Sequence, residues 1–294
     1  MSPPPAVNTC HVTGWRGFLG SHLVDRLARE SCMVTLFDHR KHSLNSSESL
    51  RDFVRDAEVI YHLAGANRSE NETLMLTNVL GTVRLLEAVR RFSSGNVKVI
   101  FSSSLHVYSP TKTLSRIRED TPSNPMDVYG LSKASAESAL RVYDRQYGIR
   151  CVIIRLSNVY GPRCRPNYNS IISTLIFNFL NQSEIVINGS GNQARDFLYV
   201  SDAVEGIVKA SCLTSETVNI CSGTSHTVNE TVSAIRSLCG RELKVRHIGE
   251  SADDFLVGDP SKARNAVGFE PKTDFRSGIR ETAAYFGLHS QLET

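Results

Sequence analysis

A phenol and an ammonium stand four residues apart in Val128-Tyr129-Gly130-Leu131-Ser132-Lys133. On a helix, that spacing puts both side chains on one face. Free tyrosine, with a pKa of about 10, is no base near neutrality, whereas a fixed cation within ~4 to 6 Å favours the phenolate. A shift of ~3 units is worth roughly 4 kcal/mol. Tyr129 is therefore expected to act as a general base, its pKa lowered by Lys133. The same spacing also fits a solvated helical stripe, and the rest of the chain decides.

The elements that would position such a base begin at the N-terminus. After Pro3 to Pro5 comes a short run, Ala6 to Val12, then Thr13-Gly14-Trp15-Arg16-Gly17-Phe18-Leu19-Gly20, then helical apolar spacing from Ser21 to Arg29. This is strand, glycine turn, helix. Gly14 suits the tight turn, Gly17 the close approach of a pyrophosphate and Gly20 the packing of helix on strand. A second strand, Met33 to Phe37, ends in Asp38, where an acidic side chain can accept the hydroxyls of an adenosine ribose. Further on, the pattern predicts helix 47–55, strand 58–63, helix 73–92, strand 97–103, helix 127–147 and strand 150–156. Such alternation predicts an α/β fold with a doubly wound parallel sheet. Residues 1–160 are expected to form a dinucleotide-binding Rossmann-like part. Residues 161–294 are expected to supply mainly a smaller α/β substrate-binding lobe within one compact unit. Ser109 to Asn124, rich in Pro, Ser and Thr, reads as a surface loop over the edge of the site.

Composition bounds the function. In 294 residues, 33 basic and 30 acidic side chains leave a net charge of +3 without long runs, which gives no electrostatic basis for nucleic-acid or membrane binding. Arg163, Arg165 and Arg195 are candidates for a local anion site. Seven cysteines without Cys-x-x-Cys spacing argue against a disulfide framework and a metal site, and point to reduced thiols in a cytoplasmic protein. There is no apolar stretch of membrane-spanning length, and Met1 to Pro5 has no signal-peptide pattern.

Taken together, these motifs resemble the extended short-chain dehydrogenase/reductase family, in its NAD-dependent nucleotide-sugar epimerase/dehydratase branch. Ile60-Tyr61-His62-Leu63-Ala64-Gly65 is similar to the strand beside the cofactor, and Asn78-Val79-Leu80-Gly81-Thr82 to the family's Asn-Val-x-Gly-Thr helix start. Phe101-Ser102-Ser103-Ser104-Leu105-His106-Val107-Tyr108 resembles the strand that carries the catalytic Ser or Thr, here Ser104. Arg155 to Pro162, Gly189 to Asp202, Val218 to Gly223 and Asp259 to Arg264 resemble the later, substrate-side signatures in order. The resemblance implies a catalytic set of Ser104, Tyr129 and Lys133. It implies a cofactor site of Gly14, Arg16, Gly17, Phe18, Leu19, Asp38, Arg40, Leu63, Ala64, Gly65 and Asn78, together with Tyr129 and Lys133. Substrate contacts fall on Ser104, Asn158, Asn169 and Arg195. The implied cofactor is NAD, with NADP open because Arg40 beside Asp38 could hold a 2′-phosphate. The implied partner is a nucleoside-diphosphate sugar. A homodimer through a four-helix bundle is also implied, with Leu74, Leu76, Leu80, Leu85, Leu86, Val89, Ala134, Ala136, Leu140 and Tyr143 as apolar candidates that equally suit packing on the sheet.

One departure stands out. Only nineteen residues separate Asp38 from the strand at Glu58, too few for the family's extra strand and helix, so an edge strand is expected to be missing. Adenine would then be met by His39, Arg40 and the Ser43 to Ser49 turn. The implied reaction is oxidation of the sugar C4 hydroxyl to a ketose and return of hydride to the opposite face. The family's 4,6-dehydratases carry Asp-Glu directly after the catalytic Thr, where this chain has Leu105 and His106. The absence of that Glu also weighs against a decarboxylase. The alternatives are an NADPH-dependent nucleotide-ketosugar reductase, suggested by Arg40, the short edge and the segments Leu63 to Arg68 and Pro166 to Ser170, and a non-catalytic dinucleotide-sensing protein.

Overall fold

The strands Val59–His62, Lys98–Ser104 and Arg150–Leu156 are buried almost throughout, the mark of a parallel sheet covered on both faces. The computed structural model describes residues 9–30, 32–168, 170–181, 183–239, 244–250 and 253–287. In chain order its first half runs β1 (Thr9–Thr13), α1 (Phe18–Leu27), β2 (Met33–Leu36), α2 (Arg51–Val54), β3 (Val59–His62), α3 (Asn71–Leu74), α4 (Gly81–Phe92), β4 (Lys98–Ser104), α5 (Val128–Tyr147) and β5 (Arg150–Leu156). Next come β6 (Asn158–Tyr160), α6 (Ile171–Leu180), β7 (Ile185–Asn188), β8 (Ala194–Arg195), β9 (Phe197–Tyr199) and α7 (Val200–Ala210). The chain continues through β10 (Thr217–Ile220), β11 (His226–Thr227), α8 (Val228–Cys239), β12 (Val245–Ile248), β13 (Phe255–Leu256), α9 (Ser261–Val267) and α10 (Phe275–Tyr285).

Six parallel strands form the main sheet in the order β10-β5-β4-β3-β1-β2. Strand order reverses between β1 and β3, and at such a switch point the loops leaving the strand ends part to make a ligand crevice. Strand β2 is the edge, and among the described residues no further strand lies beyond it in this sheet, as the short Asp38 to Glu58 interval predicts. One face of the sheet is covered by α1, α7 and α9 through Leu23, Leu27, Val204, Ile207 and Ala263. The other is covered by α2, α4 and α5 through Phe53, Leu85, Leu86, Val89, Ala136 and Leu140. Each such Leu, fully buried, contributes about 1.5–3 kcal/mol. Most of the apolar stripe considered for a dimer interface is thus covered by the chain's own sheet.

Beyond β5 the chain builds a second cluster of α6, α8 and α10 around Ile172, Ile176, Ile235 and Ile279, with short sheets β11-β8-β13, β12-β7 and β6-β9. It also returns to the main sheet, where β10 pairs with β5. Two expectations need correction. The single helix predicted over 73–92 is interrupted by a π-helical stretch, Met75–Leu80, between α3 and α4. The 109–124 segment lies mostly at the surface, as expected, but is not a free loop. Its backbone pairs with the C-terminal region, Thr111 N–H donating to Phe255 O (2.8 Å) and Ile117 N–H to Val257 O (2.8 Å), and Ile117 is buried with Leu105, Val107 and Leu256. Among the described residues no helix is long and apolar enough to cross a membrane.

Candidate active site

Gly14, at the end of β1, has φ +72°, a conformation that costs glycine nothing and other residues dearly. A Cβ there would also lie 2.5 Å from Ala64 N, so β1 and the loop after β3 touch through this glycine. A Cβ on Gly20 would drive into the Gly14 carbonyl, and α1 therefore sits directly on the turn. At Gly17 a Cβ would meet only the Gly14 carbonyl, at 3.1 Å, and this residue lines a cavity of about 500 Å³. The absent side chain leaves a cradle at a helix N-terminus, suited to a phosphate.

The same cavity is lined by Arg16, Phe18, Leu19, Leu63, Gly65, Ser104, Tyr129, Lys133 and Asn158. Ser104 ends β4 and its hydroxyl accepts the His106 N–H (3.2 Å). Tyr129 lies in the first turn of α5, which Asp127 caps by accepting the Gly130 N–H (2.6 Å). Lys133, one turn later, is buried and donates Nζ–H to Ser102 O (2.8 Å). The helix thus carries phenol and ammonium on one face, as their spacing requires.

The expected depression of the Tyr129 pKa does not occur. Burial pushes the phenol up to about 12, the Asp127 carboxylate and Tyr168 add to the rise, and hydrogen bonding with Ser104 opposes it. Lys133 Nζ stands 6.0 Å from the Tyr129 ring centroid, tied to a carbonyl, and burial lowers its own pKa to about 8, with Glu137 opposing. The cation is too distant and too desolvated to outweigh the loss of water around the phenol.

Beneath the loop after β3 runs a buried polar chain. Ala64 N–H donates to Thr13 Oγ1 (3.2 Å), which pairs with His62 Nδ1 (2.7 Å). His62 Nε2 pairs with Thr82 Oγ1 (3.1 Å), whose hydroxyl donates to Asn78 O (2.6 Å). Because Thr82 spends its proton on that carbonyl, His62 carries its hydrogen on Nε2 and accepts from Thr13 at Nδ1. Burial lowers the His62 pKa from 6.5 to about 3, and the Lys133 charge adds to the effect. Between those values the unfolded chain binds more protons than the folded one. Stability from this group is therefore full above pH 6.5 and falls on acidification, by up to about 1.4 kcal/mol per pH unit. Burial also lowers the pKa of His11, His22 and His226, so urea unfolding between pH 6.5 and 5 should show a shared slope that His62→Gln reduces; equal slopes in both proteins would exclude a neutral buried His62.

Several predicted residues lie elsewhere. Asn78, in the π-helical stretch, is buried and does not line the cavity. It holds the loop, accepting Ala66 N–H (2.7 Å) and donating to Ala66 O (3.0 Å) and Ser132 Oγ (2.8 Å). Asp38 and Arg40 sit together at the end of β2, Arg40 donating N–H (3.1 Å) and Nε–H (3.2 Å) to Asp38 Oδ1. These bonds hold the carboxyl below its usual range. Arg40 is thereby turned onto Asp38, and the 43–49 turn closes on itself through Ser49 Oγ–H to Ser43 O (2.5 Å). Arg195 is not in the cavity lining, because its guanidinium donates to Asp254 Oδ1 (2.7 Å). Nor do the three arginines of the suggested anion site converge: Arg163 pairs with Asp25 (2.7 Å), and only Arg165 lines the cavity. Asn169 lies outside the described residues.

Arg68 and Tyr168, which belong to the segments that resemble sugar reductases and are not among the expected site residues, both line the cavity. Tyr168 bridges the cleft, its hydroxyl accepting Asn67 N–H (3.3 Å). Arg68 has φ +50°, an uncommon value for a non-glycine residue. Arg16, Arg68, Lys133 and Arg165 line the cavity together with no Asp or Glu, a field that favours anionic ligands.

Comparison with known proteins decides the lineage. Residues 10–221 match the NAD dependent epimerase/dehydratase family. The chain belongs to that family. A putative UDP-glucose 4-epimerase of Methanocaldococcus jannaschii is 32% identical over 92% of this chain and 95% of its own length. UDP-glucuronic acid decarboxylase 1 of Xenopus tropicalis is 28% identical over 94% of this chain and 71% of its own. The Thermus thermophilus UDP-glucose 4-epimerase, crystallised with NAD, superposes with a TM-score of 0.86 at 27% identity, covering 95% of this chain and 99% of that one. The family relationship extends through the second lobe as well as the main sheet.

Proposed function

We propose that this protein is an NAD-dependent UDP-sugar 4-epimerase. The observation that carries this reading is the meeting of Ser104, Tyr129 and Lys133 in one cavity with the open Gly17 cradle. Relatives named as UDP-glucose 4-epimerases, one of them crystallised with NAD, support the substrate class and the cofactor.

Gly14, Arg16, Gly17, Phe18 and Leu19 would hold the pyrophosphate, Asp38 the adenosine ribose, and Leu63, Ala64 and Gly65 the strand-end side of the dinucleotide. A bound oxidised nicotinamide would supply hydride acceptance and return, together with a positive charge. The chain's own residues manage the proton. Ser104 would hold the C4 oxygen; Tyr129, ionised once the Lys133 ammonium and the positive charge of the bound cofactor act on it together, would take the hydroxyl proton, and the same proton would return when the ketosugar has presented its other face. Asn158 would meet the sugar, and Arg68 and Arg165 would face the diphosphate, in place of Arg195. Leu105 and His106 supply neither member of the acidic pair that a dehydratase uses, nor a decarboxylase's Glu. A homodimer belongs to the same proposal, carried by Leu76, Leu131 and Val142, which stay exposed on these helices.

One observation favours a second reading. The Arg40 guanidinium on Asp38 Oδ1 takes up an oxygen that a ribose hydroxyl would need, and a 2′-phosphate could draw it away, as an NADPH-dependent ketosugar reductase requires. Mass spectrometry of the dinucleotide released on denaturation separates the two. Stoichiometric NAD, with UDP-glucose and UDP-galactose interconverted without added cofactor, is the expected result. NADPH, or consumption of NADPH by a ketosugar, would put the reductase first.

A further inference from the structure

The epimerase cycle uses one acid-base group, Tyr129, yet the cavity contains a second. His106, two residues after Ser104, lines the cavity, and its ring meets the Tyr129 ring edge-on with centroids 5.8 Å apart. Its Nδ1 lies 2.9 Å from Asp127 Oδ2. A carboxylate oxygen only accepts, so Nδ1 is the protonated nitrogen. The neutral ring then carries its lone pair on Nε2, for which no protein hydrogen bond is found among the described residues. Asp127 is itself fixed, because its other oxygen caps α5 by accepting the Gly130 N–H at 2.6 Å. An imidazole oriented by an anchored carboxylate is a built general base.

Its task follows from what a ketosugar offers. In the alcohol no carbon-bound proton is acidic, but once C4 is a ketone, C3–H and C5–H are acidified by the adjacent carbonyl. We propose that His106, oriented by Asp127, removes and returns a proton at a carbon flanking the C4 ketone, giving the protein an enolisation activity beside 4-epimerisation. Nε2 takes the proton, the C–H pair becomes the C=C of an enolate, and the carbonyl pair moves to the oxygen held by Ser104 and Tyr129. The reverse step restores the ketone, and no electrons leave the sugar. Exchange of the imidazolium proton with solvent labels the carbon, and reprotonation on the other face would invert it. This inference rests on the reading that a nucleotide 4-ketosugar occupies the cavity.

The test supplies the ketone directly, so that it does not depend on oxidation at C4. UDP-4-keto-6-deoxyglucose is incubated with the holoenzyme in D₂O, and deuterium at C3 and C5 is followed by NMR. The native protein should exchange one of these positions well above the rate without protein. His106→Gln should lower that rate by about 10²-fold or more, and Asp127→Asn, which keeps a capping side chain, should lower it less. Circular dichroism melts establish that both variants fold. Background exchange by the native protein with ketosugar shown bound by equilibrium dialysis, or undiminished exchange by folded His106→Gln, would overturn the proposal. Absence of UDP-glucose epimerisation with exchange intact would instead count against the 4-epimerase reading alone.

Discussion

Tyr129→Phe is expected to reduce kcat for sugar interconversion by at least about 10²- to 10⁴-fold while leaving dinucleotide binding in place. The substitution deletes only the hydroxyl. The ring stays packed edge-on to His106, and Lys133 keeps its bond to the Ser102 carbonyl. The Tyr129 hydroxyl is the group assigned to the C4 oxygen: Ser104 is a weaker base, and His106, its ring centroid 5.8 Å from that of Tyr129, is assigned to the carbons beside C4. Single-turnover kinetics on protein carrying its own dinucleotide would separate chemistry from binding, and a folded variant keeping more than a tenth of the native rate would move the base elsewhere. The pH profile supplies an independent reading. Burial places the Lys133 ammonium near a pKa of about 8, so kcat/KM of the free enzyme should decline as the pH rises past that value and the cation is lost.

The parts of this site that are legible in the sequence are those fixed by local spacing. Tyr129 and Lys133 share a helix face whatever that helix packs against, and the glycines at 14, 17 and 20 define a turn before any tertiary contact exists. The missing edge strand is equally local, because nineteen residues set an upper limit on what can be inserted. What the sequence leaves hidden depends on long-range partners. Arg195 matches a diphosphate ligand by motif, but Asp254, 59 positions away, takes its guanidinium. The Tyr129 pKa follows burial, with an electrostatic contribution from as far along the chain as Tyr168, and burial is a property of the fold. Asn78 sits where the family motif predicts, yet the Ala66 and Ser132 groups that occupy its amide make it a holder of the loop.

Arg155→Met should destabilise the protein by about 3–5 kcal/mol, because it strands a buried charge. Arg155 and Glu137 are both buried and meet in a two-pronged pair, Nε–H to Oε1 at 3.0 Å and Nη2–H to Oε2 at 2.6 Å. Ser103 Oγ–H (2.6 Å) and Arg141 Nη2–H (2.7 Å) complete the Glu137 shell, and Arg155 also donates to the Tyr108 hydroxyl (2.6 Å). Without Arg155 the carboxylate keeps Arg141, which is partly exposed and screened by water. For a chain of this size the loss corresponds to a fall in Tm of order 10 °C, and urea unfolding would measure it; a change below about 1 kcal/mol would mean that water reaches Glu137. Removing both charges, as in Arg155→Met with Glu137→Met, should recover much of the stability, since an apolar pair of similar volume costs little in a buried site. Rate should not recover with it. Glu137 stands one turn beyond Lys133 and supports its charge, while Ser103 precedes Ser104 on β4, so the network fixes α5 against the strand that carries the third member of the set. A double variant as stable as the native protein but slower would show that these buried charges serve the geometry of the site, where an apolar pair would serve stability equally well.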